Sequence, residues 1–124
     1  MNGAGRPKPE SALELYAWIF MRASGVVLLF MALIHLVIMH LIHNVDTLSY
    51  QFVAARYATP FWRTYDVVML WLALIHGTNG VRTVLGDYVH PSGWRTASLA
   101  VLYLVGFFLL ALGSIVIVTF QPVG

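Results

Sequence analysis

Three long, largely apolar stretches dominate the chain: Gly25 to Ile42, Val67 to Leu85 and Ala97 to Phe120. Each approaches or exceeds the roughly 20 residues a helix needs to cross a hydrocarbon core of about 30 Å. Lipid offers a backbone no hydrogen-bond partners, so such runs cross as helices that satisfy their own N–H and C=O groups. A β-barrel would alternate polar and apolar residues, and Val26-Val27-Leu28-Leu29-Phe30 does not alternate. The pattern predicts an all-α integral membrane protein: one membrane domain over residues 1–124, with transmembrane helices at about 13–43, 62–88 and 94–120. Asn44 to Pro60 mixes Asp46, Thr47, Ser49, Gln51 and Arg56 with Phe52 and Tyr57, which suits a connection carrying a short interfacial helix. His90-Pro91-Ser92-Gly93 reads as a tight turn ending the second span, because proline disfavours helical backbone in the residue before it. Residues 1–9, with two glycines and two prolines, read as a disordered tail.

Composition agrees with this picture. The 124 residues are 60% hydrophobic and 10% charged, with a mean hydropathy of +0.80. A soluble domain carries about 25% charge, and one this small buries only about two-thirds of its unfolded surface, so lipid must cover the rest. The absence of cysteine removes disulfides, thiolate metal sites, iron–sulfur ligation and covalent haem attachment. The net charge of +2 comes from scattered groups with no basic cluster, which argues against a nucleic-acid partner.

Basic residues set the expected orientation. Arg6, Lys8, Arg22, Arg82 and Arg95 fall on the N-terminal side and at the second connection, against Arg56 and Arg63 at the first. The positive-inside bias puts the N-terminus and the His90 turn in the cytoplasm and the C-terminus outside. Glu10 and Glu14 precede the first apolar run, which is also too long for a cleaved signal segment. The localisation expected is the bacterial cytoplasmic membrane, crossed several times. Trp18, Trp62, Trp71, Trp94 and Tyr65 read as interfacial anchors.

Ionisable groups at membrane depth are costly and invite a functional explanation. His76 lies about 16 Å from Asp87 along its helix, close to the midplane, and His35 about 20 Å beyond Arg22. His40 and His43 fall at the far interface, where water or headgroups meet an imidazole's needs. His76, Gly80, Thr83 and Asp87 form one stripe, and Gly77 and Gly80 flank the histidine. Two explanations of those glycines stand side by side: close helix packing, or a flat slot beside His76 where a macrocycle lies. A neutral imidazole in lipid is a good axial ligand for haem iron, and two such ligands leave iron no open position. The second comes from His35 or from another chain. Asp87-Tyr88 at the cytoplasmic rim is either a solvated pair or a hydroxyl donor and proton relay for a quinone. Arg22, with Ser24 and Gly25, opens the first span at the level of Asp87 in this topology. It snorkels to the interface, or pairs with a haem propionate or with Asp87.

The run Leu74-Ile75-His76-Gly77-Thr78-Asn79-Gly80-Val81-Arg82-Thr83-Val84-Leu85-Gly86-Asp87-Tyr88-Val89 resembles the hydrophobic membrane-anchor subunit of succinate dehydrogenase, with fumarate reductase anchors as near relatives. Arg22-Ala23-Ser24-Gly25-Val26-Val27 is similar to the basic opening of that family's first helix. The resemblance implies an anchor of respiratory complex II, serving electron transport and the tricarboxylic acid cycle, that docks a flavoprotein and an iron–sulfur subunit beside a second anchor subunit. It implies a haem-binding bundle in which His76 ligates haem b opposite a histidine of the other anchor, and a quinone site (ubiquinone or menaquinone) that uses Tyr88 and Asp87. Arg22 and Ser24 would support the haem propionates or the quinone. Some relatives carry two haems and use a first-helix histidine, which marks His35 as a second candidate ligand. Succinate oxidation would occur on the flavin, so the chain alone is not an enzyme. Two other classes are a haem-free tether and a small transporter with His76 and Asp87 as a proton path. So few intramembrane charges suit the transporter poorly.

Overall fold

A computed structural model describes residues 11–121, which excludes the tail read as disordered and its Arg6 and Lys8. Among the described residues there are helices and no strands. Helix α1 covers Ala12–Leu36 and continues as a π-helical turn over Val37–Ile42. A short 3₁₀ turn at Val45–Thr47 leads to α2, Tyr50–Ala58, then α3, Pro60–Tyr88, and α4, Ser92–Thr119. Three of these, Ala12–Ile42, Pro60–Tyr88 and Ser92–Thr119, are long and apolar enough to cross a membrane.

Local chemistry explains where they begin. Ser11 accepts a hydrogen bond from the Glu14 amide at 3.2 Å, and Ser49 accepts one from the Phe52 amide at 3.3 Å, so both α1 and α2 start on a hydroxyl cap. Pro60 occupies the first turn of α3, where its missing N–H costs nothing. The helix ends at Tyr88, just ahead of His90-Pro91, and α4 starts at once. The short helix expected in the first connection is α2.

The three spans do not enclose a core: no hydrophobic side chain is buried among the described residues. Helix α3 is the central element, antiparallel to α1 on one side and α4 on the other. Against α4 the approach is close because of glycine. A Cβ on Gly113 would stand 2.7 Å from a Leu70 methyl, and one on Gly106 would stand 3.0 Å from the Thr78 hydroxyl. Small residues let helices meet in lipid, where hydrophobicity gives no drive between them. Trp71 donates from Nε1 to the Ser114 hydroxyl at 2.9 Å. It lies about 16 Å inside α3, so it ties two helices together rather than anchoring an interface. Tyr65 likewise ties α3 to α1, donating to the Met31 carbonyl at 2.6 Å. A layer with this much uncovered apolar surface suits lipid and further protein chains.

Candidate functional site

His76 sits just past the middle of α3, and its imidazole faces α1. Nδ1 lies 3.0 Å from the hydroxyl of Ser24, a residue only 3% exposed. Gly25 makes room for the ring: a Cβ there would stand 3.2 Å from Cε1. The same Ser24 hydroxyl lies 3.3 Å from the Met21 carbonyl. A hydroxyl has one proton to give. Donated to Met21, it leaves an oxygen lone pair that accepts from Nδ1–H of His76. That tautomer leaves Nε2 unprotonated, with its lone pair free. Among the described residues Nε2 has no hydrogen-bond partner, and it is not sealed inside the protein. Metal-bound histidines have this arrangement, with one nitrogen fixed by a hydrogen bond and the other turned to the ion.

The surface beside the ring is open. A Cβ on Gly77 or Gly80 would meet nothing within 4 Å, so these two glycines leave a slot along α3 rather than filling a contact inside this chain. No group of three or more His, Asp or Glu side chains gathers among the described residues. One imidazole beside a slot therefore suits a cofactor that brings most of its own ligands, such as a porphyrin, and not a bare ion.

The packing also fixes levels. Because Ser24 lies beside His76, His35 stands eleven residues, or about 16 Å, further along α1. His35 therefore cannot be the opposite ligand of an iron held by His76. Arg22 is only two residues, about 3 Å, from Ser24, whereas Asp87 is about 16 Å from His76 in the same direction. The expectation that Arg22 and Asp87 share a level is thus wrong by about 13 Å. Arg22 and Asp87 form no ion pair. The Arg22 guanidinium instead lies 4.4 Å from the Trp18 ring, toward the start of the helix, as side chains in α-helices lean.

Asp87 and Tyr88 close α3, and Tyr88 is 80% exposed. Asp87 is exposed and forms no ion pair among the described residues. Arg95 of α4 lies against the end of α3, where a Cβ on Gly86 would come 3.3 Å from its guanidinium. Asp87, Tyr88 and the Arg95 side chain thus form a polar rim at one end of the bundle.

At the other end stands a cluster that sequence patterning did not reveal. Arg56 and Asp66, 8% and 9% exposed, form an ion pair at 2.9 Å, with a second, longer hydrogen bond at 3.4 Å. Arg56 also covers the Trp62 ring at 4.4 Å. Arg63 donates to the carbonyls of Tyr57, Val118 and Phe120, so it joins α2 to the end of α4. Burial, reinforced by the charge and hydrogen bonding of Asp66 and partly offset by Arg56 and Arg63, pushes the Tyr57 hydroxyl up to about 12. The available signal was an acid in the second turn of a spanning helix, a position that requires a partner.

A family model, that of the succinate dehydrogenase/fumarate reductase transmembrane subunit, matches residues 5–117. No curated protein matches the chain.

Proposed function

The chain belongs to the succinate dehydrogenase/fumarate reductase transmembrane subunit family, and on that premise we propose that it ligates haem b through His76 and forms part of a quinone site at Asp87 and Tyr88. The observation that carries the reading is the imidazole itself, fixed at Nδ1 by Ser24, free at Nε2 and flanked by the open surfaces of Gly77 and Gly80. When bound, a haem with two histidine ligands supplies a one-electron carrier with no position open to oxygen.

The chain's own residues do the positioning. Ser24 orients the ring, and Arg22, without a carboxylate partner among the described residues, is the cation available to a propionate. A second anchor subunit would supply the other histidine, since His35 lies at another level; in a two-haem arrangement His35 would serve a separate, second haem. Electrons reach the quinone from an iron–sulfur subunit, itself fed by the flavoprotein that exchanges them with succinate or fumarate. Tyr88 donates a hydrogen bond to a quinone carbonyl and Asp87 supplies or relays protons. The chain is a non-catalytic subunit in the bacterial cytoplasmic membrane.

The optical spectrum of the purified complex tests the haem. Reduced b-type absorption should vanish from an assembled His76→Ala complex, while His35→Ala should keep the absorption that depends on His76. Absorption that persists unchanged in the assembled His76 variant would overturn His76 as the ligand, and a wild-type complex without b-type absorption would leave a haem-free structural anchor.

A further inference from the structure

At the end of the bundle opposite Asp87 and Tyr88, a cavity of about 220 Å³ is lined by Ile38, His43, Phe52, Arg56, Thr59 and Trp62, among others. Its walls are the last turn of the first span, α2 and the first turn of α3, so it lies where the spanning helices meet the surface layer. Three polar groups on those walls lack acceptors. Arg56 commits Nε and Nη2 to Asp66. Its Nη1 makes no hydrogen bond among the described residues, although Arg56 is only 8% exposed, and is not sealed away. The Thr59 hydroxyl and the His43 ring nitrogens also make no hydrogen bond among the described residues. The His43 ring leans on Phe52, with centroids 4.7 Å apart.

Donors of this kind need a ligand rich in oxygen acceptors. Arg56 is the one charged side chain on the lining among the described residues, and Asp66 leaves its Nη1 free, so the open donor favours a negatively charged acceptor. Whole drug-sized ligands occupy about 300–1,000 Å³, so this smaller space suits a compact head. The apolar remainder of the lining, Ile38, Phe52 and Trp62, would give a free anion nothing, whereas an acyl chain would lie against it. We propose that the cavity binds the headgroup of an anionic phospholipid. Arg56 Nη1, the Thr59 hydroxyl and His43 donate to its phosphate oxygens while its acyl chain rests on Ile38 and Trp62. The bound lipid would fasten α2 to the membrane surface.

The test uses the intact purified complex in phosphatidylcholine nanodiscs, titrated with phosphatidylglycerol or with inorganic phosphate while thermal unfolding is followed. Phosphatidylglycerol should raise the unfolding temperature and inorganic phosphate should not. A His43→Ala/Thr59→Val complex keeps the Arg56–Asp66 pair. It should need about tenfold more phosphatidylglycerol for the same rise, the loss expected for hydrogen bonds to a charged group. Native mass spectrometry of the wild-type complex, free of any variant, should show a phosphatidylglycerol adduct that survives gentle delipidation. Equal responses of variant and wild type, an equal response to inorganic phosphate, or no retained adduct would each overturn the assignment.

Discussion

Ser24 and His76, 52 residues apart in the chain, meet at 3.0 Å between a hydroxyl and an imidazole Nδ1. This contact holds the orientation of the ring and the vertical register of α1 against α3. It thereby decides which other residues can share a site with His76.

Replacing Ser24 with Ala removes the acceptor for Nδ1–H without enlarging a side chain. Orienting partners of this type are worth about 10–100-fold in metal affinity or activity, so a Ser24→Ala complex should retain less haem and lose it more readily in detergent. The hydrogen bond makes the imidazole a stronger donor to the oxidised metal, so its removal should raise the midpoint potential. Redox titration of the absorption reads both effects. Full haem occupancy at an unaltered potential would show that Ser24 does not act through His76.

Tyr88→Phe keeps the ring at the end of α3 and deletes the hydroxyl. Quinone reductase activity should fall about tenfold, in line with one lost hydrogen bond. Succinate oxidation by an artificial acceptor that bypasses the quinone should persist. Parallel loss of both activities in an assembled complex would rule out a quinone contact for this residue.

The ion pair of Arg56 and Asp66 is a stability device with an asymmetric response. Removing Asp66 alone, as Asp66→Ala, leaves a guanidinium buried without its carboxylate and should cost about 3–5 kcal/mol. The double replacement Arg56→Met/Asp66→Leu should be far milder, because apolar side chains of similar volume need no partner. Thermal unfolding of the complex across the double-mutant cycle measures the coupling.

Tyr57 gives a pH signature. Its hydroxyl ionises near 10 in an unfolded chain and is pushed up to about 12 here, chiefly by burial and then by Asp66. The folded state therefore holds its proton over a range where the unfolded state has released it. The stabilisation tied to that proton is complete below pH 10 and is lost as the pH rises toward 12. Tyrosinate absorbance should show a late-titrating component that disappears in Tyr57→Phe, and alkaline unfolding of that variant should lose the matching pH dependence.

Much of the architecture follows from the chain alone. An apolar run long enough to cross lipid must be helical whatever surrounds it, because hydrogen bonding within a helix is local. That reasoning yields the three spans, the turn at His90-Pro91 and a histidine near mid-depth. The His76-to-Asp87 spacing is likewise a property of one helix and is readable from residue numbers. Register between helices is not. Two apolar helices can slide past one another with no change in their sequence patterns, and here the stop is provided by particular contacts: Ser24 on His76, Tyr65 on Met31, and the glycines at 106 and 113 against Thr78 and Leu70. Only those contacts put Arg22 far from Asp87, set His35 apart from His76 and turn Trp71 toward Ser114. The Arg56–Asp66 pair is decided the same way. Its partners lie ten positions apart across the break at Thr59-Pro60, and the angle at which α2 folds onto α3 brings the two charges together.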